Sequence, residues 1–129
     1  MELDVHPTVL AICRLDPSRA IPAWTRGVAG PLVSVTRTSD ELSIVIPEHA
    51  VPHSVFHEGG WQAISVRGPL EFSLTGVLAG LSAPLADAGI PVFVVSTFDT
   101  DWLLVRANDL DDAVEVLVVS NVGSFTFGS

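Results

Sequence analysis

The sequence is poor in cysteine and in basic residues, and both shortages limit what the protein can be. Its one cysteine, Cys13, cannot form an internal disulfide, so we expect a reducing, cytoplasmic location and a role for Cys13 as a small core residue. Only 6 basic residues stand against 15 acidic ones, which gives a net charge of −9. An acidic surface repels phosphate groups, so we expect neither a nucleic-acid partner nor an anionic membrane.

Signals for export and for membrane insertion are also missing. The first residues, MELDVHP, lack the basic and apolar regions of a signal peptide. One run, residues 74–95, is apolar enough to suggest a membrane span, but Asp87 interrupts it. Its Gly89 and Pro91 predict the end of a helix and the start of a strand. We therefore interpret this run as a buried helix followed by a buried strand.

No arrangement typical of catalysis or of a cofactor is apparent. No nucleophile is accompanied by a base and an orienting group, and no glycine-rich phosphate loop carries a lysine. His49, His53 and His57 have a spacing that would align them on a helix, which would suit a metal. Pro52 interrupts that helix, so a loop with scattered histidines is the favoured interpretation. We expect no catalytic residue, no metal and no cofactor.

What the sequence does have is a high apolar content, 48% of 129 residues, which suits one ordinary domain or two small ones. Apolar spacing predicts a helix that begins at Leu74, with Ser73 as N-cap and a kink at Pro84. It also predicts a final helix that Asn108 caps. The predicted strands are residues 8–15, two strands within 31–47, residues 61–68, and the two strands of a hairpin within 91–107.

The two halves of the chain repeat each other. SVTRTSDELSIVI lies over VSTFDTDWLLVRA at an offset of 61, which aligns Asp40 with Asp101 and Leu42 with Leu103. Each half follows the order strand, helix, strand, strand, helix of a ferredoxin-like βαββαβ unit. The predicted fold class is α+β, with two units in tandem, 1–60 and 61–129, and antiparallel sheets with helices on one face. The tail SFTF supplies the fourth strand of the second unit, or strands are exchanged between the halves.

Three motifs of the second half resemble the ACT domain family. They are GPLEFSLTGVLAGL, LADAGIPVFVVSTFDTD and NDLDDAVEVL. More narrowly, they are similar to the small tandem-ACT proteins related to CASTOR arginine sensors and to the regulatory domains of aspartate kinases. The first half resembles this pattern less closely because its helices are short and interrupted by prolines. The resemblance implies that the protein binds a small molecule, an amino acid, and signals its occupancy to a partner protein without catalysis.

The resemblance also implies where that amino acid binds. The site would lie between the loop that leads into the first helix of one unit and the turn after the second strand of a neighbouring one. An aspartate of that turn faces the cationic ligand in arginine sensors, and Asp101 falls on its position. The implied ligand-binding residues are Gly68, Phe72, Ser73, Leu74, Thr75, Ser96, Thr97, Phe98, Asp99, Thr100 and Asp101.

The chemistry of these residues suits an amino acid. Free backbone N–H groups at a helix N-terminus favour a carboxylate, and Asp99 or Asp101 could hold an ammonium or a cationic side chain. Alternation does not decide which aspartate points inward, because a turn breaks the alternation. A plain solvated turn is the competing interpretation, since Asp and Thr are common in hairpins.

Two other functions are compatible with the sequence. The chain could be an oligomerisation module whose sheet pairs with another copy independently of a ligand, or a small enzyme or metal protein that uses the histidine loop. For the regulatory function, the partner protein is unidentified, and we expect a homodimer.

Overall fold

The computed structural model describes residues 1–68 and 76–128, and within them the chain forms a mixed α+β fold, as predicted. Two α-helices and eight strands lie in these ranges, together with short 3₁₀ turns at Ala23–Thr25, Glu48–Ala50 and Ala107–Asp109. The elements are β1 (Glu2–Val5), β2 (Leu10–Leu15), β3 (Ser34–Arg37), β4 (Leu42–Pro47), β5 (His57–Val66), α1 (Val77–Asp87), β6 (Phe93–Ser96), β7 (Asp101–Arg106), α2 (Leu110–Val119) and β8 (Ser124–Phe127).

The chain divides into two compact units. Residues 1–7 and 62–129, called here the helical unit, contain both α-helices. Residues 8–61, called here the strand unit, contain β2, β3 and β4. The long strand β5 contributes residues 57–61 to the strand unit and residues 62–66 to the helical unit.

In the helical unit, the neighbour of β5 on one side is β7, which also pairs with β6. Its neighbour on the other side is β1, in antiparallel register with Leu3 opposite Val66. The tail SFTF does form a strand, β8, but it pairs in parallel with β1 rather than with β5. Strand β1 therefore occupies the position beside β5. Apolar and polar residues alternate along β1, so Leu3 and Val5 are buried in the core while Asp4 between them is not.

The core of the helical unit lies between one face of these strands and the two helices. Period-2 alternation on the strands and helical spacing on α1 and α2 direct apolar side chains into the same layer. The buried members are Leu3, Val5, Ile64, Val66, Leu81, Leu85, Leu103, Val105, Ala113 and Leu117.

Helix α1 begins later than predicted. Its first residue is Val77, and the N-cap position belongs to Gly76, whose φ of 77° is left-handed, rather than to Ser73. A left-handed backbone before the first turn favours glycine, which explains why the apolar spacing overestimated the helix. The helix continues through Pro84, and it ends as predicted at Gly89 (φ 74°), where Ile90 N–H donates to the carbonyl of Leu85.

Helix α2 follows a 3₁₀ turn, and this turn displaces its predicted cap. The N-cap position belongs to Asp109 instead of Asn108, which lies inside the turn. Asp111 and Asp112 occupy the first helical turn, where negative charge is favourable. Asn121, with φ of 56°, ends the helix in the same way that glycine ends α1.

The strand unit pairs its strands in the order β3, β4, β2 and β5, all antiparallel. Two 3₁₀ turns, Ala23–Thr25 and Glu48–Ala50, stand where the sequence predicts short helices interrupted by prolines. Cys13 is buried in its core, where burial raises the pKa of the thiol to about 11. This confirms Cys13 as a small core residue.

Candidate functional site

The predicted site turn connects β6 to β7, and local hydrogen bonds shape it. The ladder ends with Ser96 opposite Asp101, which leaves a four-residue turn at 97–100. Thr97 N–H donates to the carbonyl of Thr100 over 2.8 Å, and Thr100 N–H donates to the hydroxyl of Thr97 over 3.4 Å. Both threonines therefore have a structural role in closing the hairpin.

Thr100 also ties this turn to the end of β5. Its hydroxyl donates to the carbonyl of Val66 over 2.5 Å. Gly68, two residues further on, is exposed at the start of the predicted ligand loop. The structure thus brings the β6–β7 turn next to the beginning of that loop. Phe72, Ser73, Leu74 and Thr75, the other predicted loop residues, lie outside the described residues.

Asp101 points toward the face of the sheet that carries the helices. Side chains two positions apart in a strand project from the same face, and Asp101 precedes Leu103 by two positions and Val105 by four. Leu103 and Val105 are fully buried in the core beneath α1 and α2. The Ser96 hydroxyl donates to its carboxylate over 2.7 Å, and Asp101 is half-buried. A carboxylate therefore stands at the edge of an apolar layer, with one of its oxygens engaged and the residue still accessible to solvent.

Asp99 and Phe98 lie at the exposed tip of the turn. Phe98 is 78% exposed, and its predicted contact with a ligand stays a prediction. Among residues 1–68 and 76–128, no hydrogen bond or ion pair to the Asp99 carboxylate is found. Of the two aspartates between which the sequence does not decide, Asp101 is the one on the helix-bearing face.

The turn between β3 and β4 has the same hydrogen-bond pattern. Thr38 N–H donates to the carbonyl of Glu41 over 2.9 Å, and the Thr38 hydroxyl accepts the N–H groups of Asp40 and Glu41, each over 3.1 Å. The adjoining ladder ends with Arg37 opposite Leu42.

These bonds correct the predicted alignment of the two hairpins. Matching Thr38 to Thr97 and the ladder ends to each other gives an offset of 59 rather than 61. Asp40 then corresponds to Asp99, and Asp101 corresponds to Leu42. The aspartate that the two turns share is therefore Asp99, and Asp101 is the acid that the second hairpin adds.

The N-terminus of α1 is the other described part of the predicted site. Its first helical hydrogen bond runs from Gly80 N–H to the carbonyl of Gly76 over 2.8 Å. The amide groups of residues 77–79 precede this bond and have no acceptor within the helix. Such groups, together with the helix dipole, favour a carboxylate.

Arg67 is a charged residue beside this loop that the sequence did not single out. Its guanidinium donates to both carboxylate oxygens of Asp4, over 2.6 and 3.2 Å, and also pairs with Glu2. The hydrogen bonds from Arg67 hold the pKa of Asp4 below its usual range. The pair joins β1 to the end of β5 across more than sixty positions of the sequence, so no local pattern could reveal it.

The histidines do not form a cluster. In the part of the chain that the structure describes, no group of three or more histidine, cysteine, aspartate or glutamate residues could hold a metal ion. His57 is hydrogen-bonded through Nδ1 to the carbonyl of Val55 over 2.7 Å. None of the described helices is long and apolar enough to cross a membrane.

Comparison with known proteins gives a family match in each half of the chain. The model of the ACT domain matches residues 57–118, which include β5, α1, β6, β7 and most of α2. A second model, which describes the N-terminal domain of another family, matches residues 9–54.

Three similar proteins have informative descriptions. An Agrobacterium tumefaciens protein solved by X-ray crystallography is 41% identical, with a TM-score of 0.90 over 99% of this chain and 93% of that one. The cytosolic arginine sensor for mTORC1 subunit 1 of Bos taurus is 36% identical over 95 residues, which are 65% of this chain and 29% of the sensor.

The third is the ligand-free regulatory subunit of aspartate kinase from Thermus thermophilus, with a TM-score of 0.59 over 92% of this chain and 93% of that one. At 13% identity, that likeness concerns the fold alone. The chain spans 29% of the length of the bovine sensor and 55% of the human protein CASTOR3P, which it also matches.

Proposed function

We propose that this chain, whose residues 57–118 match the model of the ACT domain, is a non-catalytic regulatory protein that binds a free amino acid and signals its occupancy to a partner protein. We further propose that the strand unit is a reduced ACT-like unit. In that unit, 3₁₀ turns and a proline-rich connector stand in place of the two helices.

One observation carries the ligand-binding proposal: Asp101 is a carboxylate at a position where the matching hairpin has a core leucine. Leu42 is fully buried, on the same alternation as Ile44 and Ile46. Placing a carboxylate at such a position costs stability unless it is paired. Natural proteins retain such costly residues chiefly at functional sites. Asp101 therefore has a role that the fold alone does not require.

The proposed geometry uses both described parts of the site. The ligand carboxylate would bind the amide groups at the start of α1, and the cationic group of the ligand would bind the free oxygen of Asp101. Ser96 orients the Asp101 carboxylate through its 2.7 Å hydrogen bond, which leaves the second oxygen for the ligand. Asp99 corresponds to the turn aspartate Asp40, so in this arrangement Asp101 is the carboxylate that binds the cationic group of the ligand.

The class of ligand is an amino acid with a cationic side chain. The bovine relative is named an arginine sensor, and a guanidinium donates strong, charge-assisted hydrogen bonds to a carboxylate oxygen. Arginine is therefore the first ligand to test, and lysine, citrulline and aspartate are the comparisons that isolate the charge and the shape of the side chain.

Isothermal titration calorimetry of the full chain with L-arginine tests the proposal. We expect binding by the wild type and a loss of about tenfold or more in affinity for Asp101→Asn, since a charged hydrogen bond contributes about 1.5–3 kcal/mol. Asp99→Asn is the matched control, because it removes the same charge from the same turn, and we expect it to bind within about twofold of wild type.

Two results would contradict the proposal. The first is the absence of a heat of binding or a thermal shift with any of the twenty amino acids. The second is an equal effect of the Asp99 and Asp101 variants, which would indicate a general effect of charge. A ligand-independent dimer without amino-acid binding, measured by light scattering, would favour the oligomerisation module instead.

A further inference from the structure

A groove lies on the helical unit between the end of α1 and the outer side of α2. Its volume is about 390 Å³, and it opens to solvent. Ala88 and Ile90 line it from the end of α1, and Val116 and Val119 from α2. Two acidic residues of α2, Asp112 and Glu115, and Ser120 after the end of the helix complete the lining. None of these residues belongs to the proposed amino-acid site.

The groove has an acidic end and an apolar end. Asp112 lies in the first turn of α2 and Glu115 near its middle, whereas Val119 is its last residue. Val119 is 79% exposed. A single exposed valine is ordinary on a protein surface, but this one adjoins Ile90 and Val116 in a concave patch. The patch therefore offers apolar contact area beside a fixed negative charge.

The charge around the groove selects the class of occupant. The helical unit carries 10 acidic residues and 2 arginines, whereas the strand unit carries 5 acidic residues and 4 arginines. Most of the negative charge thus belongs to the unit that bears the groove. A cationic segment gains from this potential on approach and in the bound state, and an anionic one is repelled.

The same charge argues against a second copy of this chain. A symmetric contact between two α2 helices through this groove would place Glu115, which lies midway between Asp112 and Val119, against Glu115 of the partner. Like charges at close range in an interface are destabilising. The occupant must instead supply basic side chains for the acidic end and apolar side chains for the other.

We propose that this groove docks a short basic and apolar segment of a partner protein. Asp112 and Val119 are seven helical residues apart, which corresponds to about 10 Å along the axis of α2. An extended segment covers that distance in about three residues, so an arginine or lysine placed three residues from a large apolar residue reaches both ends. The interaction adds a partner surface to the regulatory function and does not depend on amino-acid binding at Asp101.

The test uses a phage-displayed library of random 12-residue peptides, selected on the immobilised full chain. We expect the selected peptides to combine basic with large apolar residues. Synthetic copies would then be titrated by fluorescence anisotropy. The double variant Asp112→Asn/Glu115→Gln should weaken their binding about tenfold or more, and Val119→Ser should weaken it about fivefold.

Two matched variants control for nonspecific effects. Asp111→Asn removes a charge from the same helix, and Val118→Ser removes an exposed valine beside Val119, but neither residue lines the groove. Both should bind the peptides within about twofold of wild type. All four variants alter exposed residues, and circular dichroism melting should show at most a small loss of stability, from the first-turn charges of Asp111 and Asp112.

Four outcomes would overturn the proposal. They are a failure to select peptides, selection of peptides without basic residues, equal losses in the groove and control variants, and a concentration-dependent dimer that Val119→Ser abolishes. The last outcome would make a second copy the occupant. The arginine titration of the Asp101 variant is a separate measurement, so a failure of this docking surface leaves the proposed ligand site standing, and the reverse also holds.

Discussion

The β3–β4 and β6–β7 hairpins have the same turn and different residues at the first position of the strand that follows. In both, a threonine hydroxyl and its N–H group close a four-residue turn, and an aspartate occupies the third position. After the turn, the first hairpin has Leu42, which is fully buried, and the second has Asp101, which is half-buried. The hairpin fold therefore requires neither an aspartate at that position nor Phe98 at the tip, and only the turn threonine and aspartate are shared.

The largest effect is expected when Leu42 of the strand unit is replaced by the aspartate that the second hairpin has at the matching position. Leu42→Asp would place a carboxylate in the apolar core beside Ile44 and Ile46. The residue opposite, Arg37, is exposed, and its guanidinium is already bonded to the carbonyl of Pro17. We expect a loss of about 4 kcal/mol in the free energy of unfolding, from lost apolar burial and an unpaired charge.

Urea denaturation monitored by tryptophan fluorescence measures this loss. Leu42→Asn is the matched control: it has the same shape without the charge and should cost less. A small effect of Leu42→Asp would mean that the position tolerates a carboxylate in both hairpins, and Asp101 would no longer be exceptional.

The reverse exchange, Asp101→Leu, should stabilise the protein and abolish binding. Leucine would extend the apolar layer of Leu103 and Val105, at the expense of one exposed hydrogen bond from Ser96. We expect a gain of about 1 kcal/mol in the free energy of unfolding, together with the loss of the arginine affinity proposed above. The same urea titration and calorimetry check both parts.

A destabilised Asp101→Leu variant would indicate that the carboxylate is structural. Loss of binding without a gain in stability would leave the role of Asp101 in the ligand site intact but would contradict its equivalence to Leu42. Asp101→Ser, which is small and polar, controls for the removal of the carboxylate without the addition of apolar volume.

The sequence predicted much of the fold because strong local patterns determine it. Both hairpins, both helices, the glycine stop at Gly89 and the core role of Cys13 agree with the structure, and all depend on neighbours within a few positions. The pairing of β1 with β5 was not evident, because it joins residues more than sixty positions apart and only the folded sheet brings Asp4 to Arg67.

The alignment of the two hairpins was wrong by two residues for a related reason. An offset of 61 matches Leu42 with Leu103 and keeps the apolar alternation in phase, since a shift of two preserves the face of every residue. Hydrogen bonds in the two turns give 59 instead, which sets a leucine against an aspartate. The pattern failed at Asp101, the residue whose chemistry differs from what the fold requires.

The two turn threonines should differ modestly in their contribution to stability. The Thr38 hydroxyl accepts two N–H groups, each over 3.1 Å, whereas the Thr97 hydroxyl accepts one over 3.4 Å. We expect Thr38→Ala to cost about 1 kcal/mol and Thr97→Ala about 0.5 kcal/mol, because exposed side-chain hydrogen bonds are weak and longer ones are weaker. Valine variants of both, which keep the branched shape, should give the same order in urea denaturation. The opposite order would show that the turns are not equivalent in energy.

The smallest expected effects are those of the turn aspartates, and they are the most decisive for the alignment. Asp40 and Asp99 are both exposed at the third position of a turn that accepts asparagine equally well. Asp40→Asn and Asp99→Asn should therefore each change the free energy of unfolding by less than about 0.5 kcal/mol, and neither should alter arginine binding.

If Asp99→Asn abolished binding while Asp101→Asn retained it, the turn aspartate would be the ligand residue. Asp40, which occupies the same position, would then make the first hairpin a candidate for a second site, because equivalence in the turn would no longer imply a merely structural role.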